Sequence, residues 1–200
     1  MDEVARLFAI GMNIDRFAAQ NITNKNANVS TTENASDIPA FTSFKEAEKL
    51  VESILNVVGL KPNFKLKVSN VANVEANIRR HTRYILYNPD FISLVNKATK
   101  DKWSAIFILA HEIGHHLNGH TVMGKNSRPH IELEADEFAG FVLQKMGATL
   151  DQAQLVMYYI SKPEISKTHP ARMDRLNAIE KGWNKAAIQS ANANLTIPGN

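Results

Sequence analysis

No cysteine occurs among the 200 residues. That removes disulfides, thiolate metal sites and cysteine nucleophiles together, and leaves nitrogen and oxygen as the ligands for any zinc. Long apolar runs are missing as well: no segment reaches the roughly 18 uncharged apolar residues of a membrane-spanning helix, so no integral membrane segment is expected. Near the N-terminus, residues 7–12 are apolar but broken by Gly11 and followed by Asp15 and Arg16, too short and too charged for the core of a signal peptide. Such a chain is expected to be soluble, cytoplasmic by default, and periplasmic or membrane-peripheral where a native leader has been removed. Internal repeats are absent. So is any long run of one charge: 23 basic and 20 acidic residues are scattered to a net +3, which leaves no electrostatic footprint for nucleic acid.

What the chain does have, at 44% hydrophobic residues, is enough apolar sequence for one buried core. Residues 1–40 read as an N-terminal helix and a flexible linker: Val4, Leu7, Phe8, Met12 and Phe17 are the apolar positions over 2–19, and 21–39 is rich in Asn, Thr, Ser and Ala. The main domain is expected over 41–189, with 190–200 a disordered tail. Ser43 with Glu46 forms a capping box for a helix to about residue 58, closed by Gly59 and Pro62. Period-two alternation at 64–68, continued over 71–79 and 82–87, predicts a small antiparallel sheet. From 101 onward the pattern is helical. One helix ends at Asn118-Gly119, a polar loop follows at 124–128, and a second helix spans 131–146. Thr149 and Gln152 cap a third helix to 160, and a last one covers 170–188. The fold class is therefore α+β, a small sheet packed on a mainly helical domain.

Within the apolar run 103–117 lies His111-Glu112-Ile113-Gly114-His115. Residues four apart on a helix differ by about 40° around the axis and about 6 Å along it, so both imidazoles can face one ion. Glu112, about 100° from His111, can reach a water at that ion without being a ligand, the place of a general base. Three ionisable side chains on an apolar helix also require something to satisfy them, and a metal does so. A third ligand is needed. A histidine in the frame H-E-x-x-H-x-x-G-x-x-H would need glycine at 118 and histidine at 121, whereas Asn118 and Thr121 stand there and Gly119 and His120 are each one place out. His116 reads as a packed histidine. The acidic residues of the next helix divide by projection: Glu132 and Asp136 flank the apolar side, while Glu134 and Glu137 share the opposite, solvated arc. Glu132 is the expected third ligand, and Asp136, one turn on, is placed to accept an imidazole N–H and fix the ring of a ligand histidine.

These residues carry a resemblance. His111-Glu112-Ile113-Gly114-His115, then Glu132-Leu133-Glu134-Ala135-Asp136, then Thr168-His169-Pro170 with Arg175 match in order the H-E-x-x-H, E-x-x-x-D and H-P-x-x-x-x-R signatures of one gluzincin family. It is the family of the HtpX heat-shock protease and the CAAX prenyl protease, and the likeness covers about residues 84–183. The resemblance implies a zincin-like fold, one zinc per chain held by His111, His115 and Glu132, and Glu112 as catalytic base. It also implies that His169 and Arg175 lie near the metal and assist the substrate oxyanion. A looser resemblance is to soluble regulatory proteases of the ImmA/IrrE type. The implied activity is zinc-dependent endopeptidase action on a protein or peptide substrate, with the segment 83–87 as the sheet edge along which an extended substrate pairs. The alternative is a latent zincin-fold regulatory or binding protein, against which the intact Glu112 speaks, since a structural zinc site has no use for a base.

Overall fold

The computed structural model describes residues 40–122, 128–166 and 169–195. The expected N-terminal helix and linker over 1–39 lie outside the described residues, as does most of the polar loop, at 123–127. Helix α1 (Phe44–Val57) starts at its capping box: Ser43 Oγ accepts from Glu46 N at 3.3 Å, and Glu46 Oε2 accepts from Ser43 N at 3.1 Å. Its Ala47, Val51, Ile54 and Leu55 face the core.

Strands β1 (Lys65–Val68), β2 (Val74–Arg79) and β3 (Thr82–Tyr87) form one sheet of order β1-β3-β2. This sheet is mixed and not antiparallel throughout: β2 and β3 pair antiparallel, but β1 runs parallel to β3. Two connections explain the difference. Arg80 and His81, with φ of 47° and 65°, adopt the left-handed pair of conformations that a tight two-residue hairpin demands. The segment 69–73 then joins the end of β1 to the start of β2, and both of these lie beside Tyr87 at the end of β3. It arches over that end, pinned by bonds from Ser69 N to Tyr87 O (2.9 Å), Asn88 N to Asn73 O (3.0 Å) and Asn88 Nδ2 to Val71 O (2.9 Å). As a result β3 is the central strand, paired on both sides. The expectation that 83–87 is a sheet edge is overturned: β1 and β2 are the edges, and β2 is the one beside Glu112.

Helix α2 (Pro89–Thr99) is capped by Asn88 and helix α3 (Lys102–Leu117) by Asp101, whose carboxylate accepts from Trp103 N at 2.6 Å. Ala105, Phe107, Leu109, Ala110 and Ile113 sink α3 into the middle of the core. Helix α4 (Pro129–Lys145) crosses it at Gly114, where a Cβ would press on Phe138 Cδ1 at 3.1 Å and Ala135 Cα at 3.3 Å. Helices α5 (Leu150–Gln154) and α6 (Met157–Ile160) follow as two short pieces in place of one helix to 160, although the predicted Thr149–Gln152 capping box is present. Helix α7 (Arg172–Leu195) lies along α4, and glycine makes the close contact possible: the Cβ absent from Gly140 would overlap the Ile179 carbonyl, and that absent from Gly182 the Glu137 carbonyl. α7 runs through the first half of the expected disordered tail, where Lys145 Nζ donates to Ser190 Oγ at 2.9 Å and ties that turn to the end of α4. No helix among the described residues is long and apolar enough to cross a membrane. The architecture is α+β and mostly helical.

Candidate metal centre

One helical turn on α3 brings His111 and His115 together, their Nε2 atoms 3.1 Å apart. From α4, Glu132 sets its two carboxylate oxygens 3.4 Å from His111 Nε2 and 3.7 Å from His115 Nε2. The three donor atoms lie within 4.8 Å of one another. Tetrahedral zinc with nitrogen and oxygen ligands at about 2.0–2.2 Å separates its donors by about 3.3–3.6 Å, and the three separations here, 3.1, 3.4 and 3.7 Å, lie within 0.2 Å of that range. Glu132 and His111 are 7% and 8% exposed, a depth at which three converging donors without a shared cation would be costly.

Behind the ligand atoms runs a chain of charge. Asp136, fully buried, accepts from His111 Nδ1 at 2.9 Å and from Arg175 Nε and Nη2 at 2.7 Å each. Burial works against its carboxylate, yet Arg175 and then His111 outweigh burial and hold the group below the ordinary aspartate range. Burial likewise opposes charge on His111, but hydrogen bonds to Asp136 and Glu132 prevail and push its pKa up to about 10. On His115, burial and then the neighbouring His111 charge act in the same direction and lower the pKa to about 3. The two shifts run in opposite directions, favouring charge on the His111 ring and a neutral ring at His115.

Glu112 faces the sheet. Its Oε2 accepts from Ala76 N on the edge strand β2 at 2.6 Å, and burial pushes its pKa up to about 7. Two adjoining cavities meet at His111, Glu112, Glu132 and His169: one, ≈ 620 Å³, runs along β2, and the other, ≈ 480 Å³, goes down to Phe91, Phe107, Met157 and Ile160. His169 is exposed at their junction, its backbone held by bonds from Ser166 N to His169 O (2.8 Å) and from His169 N to Ser166 Oγ (2.9 Å). Arg175, 5% exposed, is committed to Asp136 through Nε and Nη2. The sequence-predicted residues Glu112, His111, His115, Glu132, Asp136, His169 and Arg175 thus gather in one region.

Residues 122–182 match the family model of Peptidase family M48. The matched stretch is less than half of the chain and marks a similarity to that family. The matched segment holds Glu132, Asp136, His169 and Arg175 and begins after His115, so it is separate in sequence from the His111–His115 motif. M48 metallopeptidases are zinc-dependent, and the M48 family supports a peptidase, a hydrolase, acting on protein. No curated protein and no solved structure gives a match.

Beside these residues stand contacts that sequence reasoning missed. His116 is packed as expected: Nε2 bonds to Tyr84 O at 2.8 Å, Nδ1 to Thr121 Oγ1 at 3.1 Å, and the ring stacks on Phe64. His120, however, places Nδ1 3.0 Å from His115 Nδ1 and Nε2 2.9 Å from Glu134 Oε2. Glu134, expected to be solvated, is 56% exposed at its side chain and still makes this bond. The signal for His120 was Gly119. With φ of +76°, Gly119 ends α3 in a Schellman turn, in which His120 N bonds to His115 O (3.0 Å) and Gly119 N to His116 O (3.3 Å). Such a turn lays the residue after the glycine against the residue five before it, and here both are histidines.

Proposed function

We propose that the chain is a zinc-dependent endopeptidase of zincin-like fold, with one zinc per chain held by His111, His115 and Glu132. The single observation that carries this reading is the convergence of those three side chains at tetrahedral spacing beside a base on the next residue. Zinc in that setting supplies polarisation of a peptide carbonyl and a lowered pKa for water.

The remaining work falls to the chain's own groups. Glu112 takes a proton from the attacking water and delivers it to the leaving amine nitrogen. A carboxyl raised by burial to about 7 is matched to both transfers near neutral pH. An extended substrate pairs with the exposed side of β2, the strand that lines the larger cavity, where outward backbone groups alternate with those bonded to β3. His169, at the junction of the two cavities, is the candidate donor to the oxyanion that develops on the carbonyl. Arg175 acts through Asp136, which orients His111, and is a positioning residue in this reading.

The test combines zinc content of the purified protein with cleavage of an unfolded casein, with and without chelator. One zinc per chain and chelator-sensitive cleavage are expected, and Glu112→Gln should keep the zinc while losing about 100-fold or more in turnover. Unchanged cleavage by Glu112→Gln removes the base from the mechanism. Zinc without any cleavage by wild type would favour the latent binding protein.

A further inference from the structure

We propose that His120 and Glu134 form a relay that fixes the ring of His115 for metal binding, as Asp136 does directly for His111. The inference rests on the reading of His111, His115 and Glu132 as a zinc site. Both histidine ligands turn Nε2 toward the site, and both must therefore hold their single proton on Nδ1. For His111 a carboxylate receives that proton at 2.9 Å. No carboxylate touches His115 Nδ1 among the described contacts; an imidazole nitrogen lies there, at 3.0 Å.

Two facing imidazole nitrogens make a hydrogen bond only when one bears a proton and the other a lone pair. Glu134 decides which. Its carboxylate is an acceptor, so His120 Nε2, 2.9 Å away, is the donor, and a neutral His120 ring then presents a bare Nδ1. His115 Nδ1–H donates into it, and His115 Nε2 is left with its lone pair toward Glu132 and His111. The direction of every bond follows from the carboxylate at the far end. Burial supports a built arrangement: the His120 side chain is 2% exposed with both ring nitrogens bonded, whereas Glu134 reaches it from the surface. The Schellman turn supplies only backbone placement, which any side chain at 120 would share.

The test measures zinc affinity by chelator competition and the visible spectrum of the cobalt(II)-loaded full-length chain. His120→Phe fills the space without an acceptor and should weaken zinc binding about 10- to 100-fold, the range for partners that orient metal-bound histidines. His120→Asn, whose Oδ1 replaces Nδ1 as acceptor, should recover much of that loss, a rescue that mere filling of space does not produce. Glu134→Ala, at an exposed position, should fold normally, shift the cobalt bands and weaken zinc binding several-fold. If His120→Phe fails to fold, Glu134→Ala and His120→Asn decide the matter. Wild-type affinity and an unchanged cobalt spectrum in Glu134→Ala and in a folded His120→Phe overturn the relay while leaving the zinc site intact. A wild-type chain without zinc, or zinc retained by His111→Ala, overturns the site itself and the relay with it.

Discussion

Replacing Asp136 by asparagine probes the charge chain behind the ligands. Asp136 is fully buried and takes one bond from His111 and two from Arg175. Asparagine keeps the volume but offers a single acceptor oxygen, turns an NH₂ group toward donors and takes from the 5% exposed Arg175 the carboxylate it is bonded to, leaving only the more distant charges of Glu132 and Glu112. Removing one partner of a buried ion pair costs about 3–5 kcal/mol. For a chain of this size each kcal/mol is about 2–4 °C of melting temperature, so the variant should melt about 6–20 °C below wild type. Thermal unfolding followed by circular dichroism, with chelator in both samples, keeps metal affinity out of the comparison. Arg175→Met should cost less, because Asp136 retains a protonated His111, and the double variant should cost less than the sum of the two. The pH dependence has a definite sign. The folded Asp136 pKa lies below its ordinary 3.8, so its contribution is fully present above 3.8 and is lost as pH falls through the folded value. The gap between wild type and variant therefore closes in acid. A variant melting within about 2 °C of wild type at neutral pH would refute the reasoning, since that shift is about 1 kcal/mol or less.

Other outcomes follow from the same geometry. Because the His111 pKa is pushed up to about 10 in the zinc-free chain, zinc loading near pH 7.5 should release about one proton, read by calorimetry in buffers of different ionisation enthalpy. The same shift stabilises the zinc-free fold fully below 6.5, and that stability should fade as pH rises through about 10, which denaturant titrations at stepped pH will show. Alanine at Gly140 or Gly182 should destabilise by about 1–3 kcal/mol or more despite the roughly 1 kcal/mol helix-propensity gain, because each new Cβ meets a backbone carbonyl; a rise in melting temperature would contradict the close α4–α7 approach. Arg80→Asn with His81→Gly should stabilise by about 1 kcal/mol, since both positions hold positive φ at a cost of about 1–2 kcal/mol for ordinary L-residues.

The convergence of His111, His115, Glu132 and Asp136 was legible in the sequence because each pair sits four apart on a helix, and helical spacing is a local property. The capping boxes at Ser43 and Thr149 were legible for the same reason. Sheet order was not: alternation marks which residues share a face of a strand, while the place of β1 depends on how 69–73 passes the end of β3. Glu134 is exposed, as projection has it, but its bond to His120 was not legible, because projection compares residues on one helix only. Its partner lies beyond the end of α3, where the Gly119 turn carries His120. Arg175 meets Asp136 from 39 residues away, through an α4–α7 separation that glycines set and no periodicity records.

Glu132, Glu134 and Asp136 occupy alternate positions of α4, whereas the imidazoles they serve belong to α3 and the turn behind it. All the acidic partners of the cluster therefore ride on one rigid rod. Advancing α4 by a single residue, about 1.5 Å along its axis and 100° around it, breaks all of these contacts together. Register between the two helices is thus all or nothing: the contacts across this seam form together or not at all, and an ion in the proposed site would act as a rivet through it.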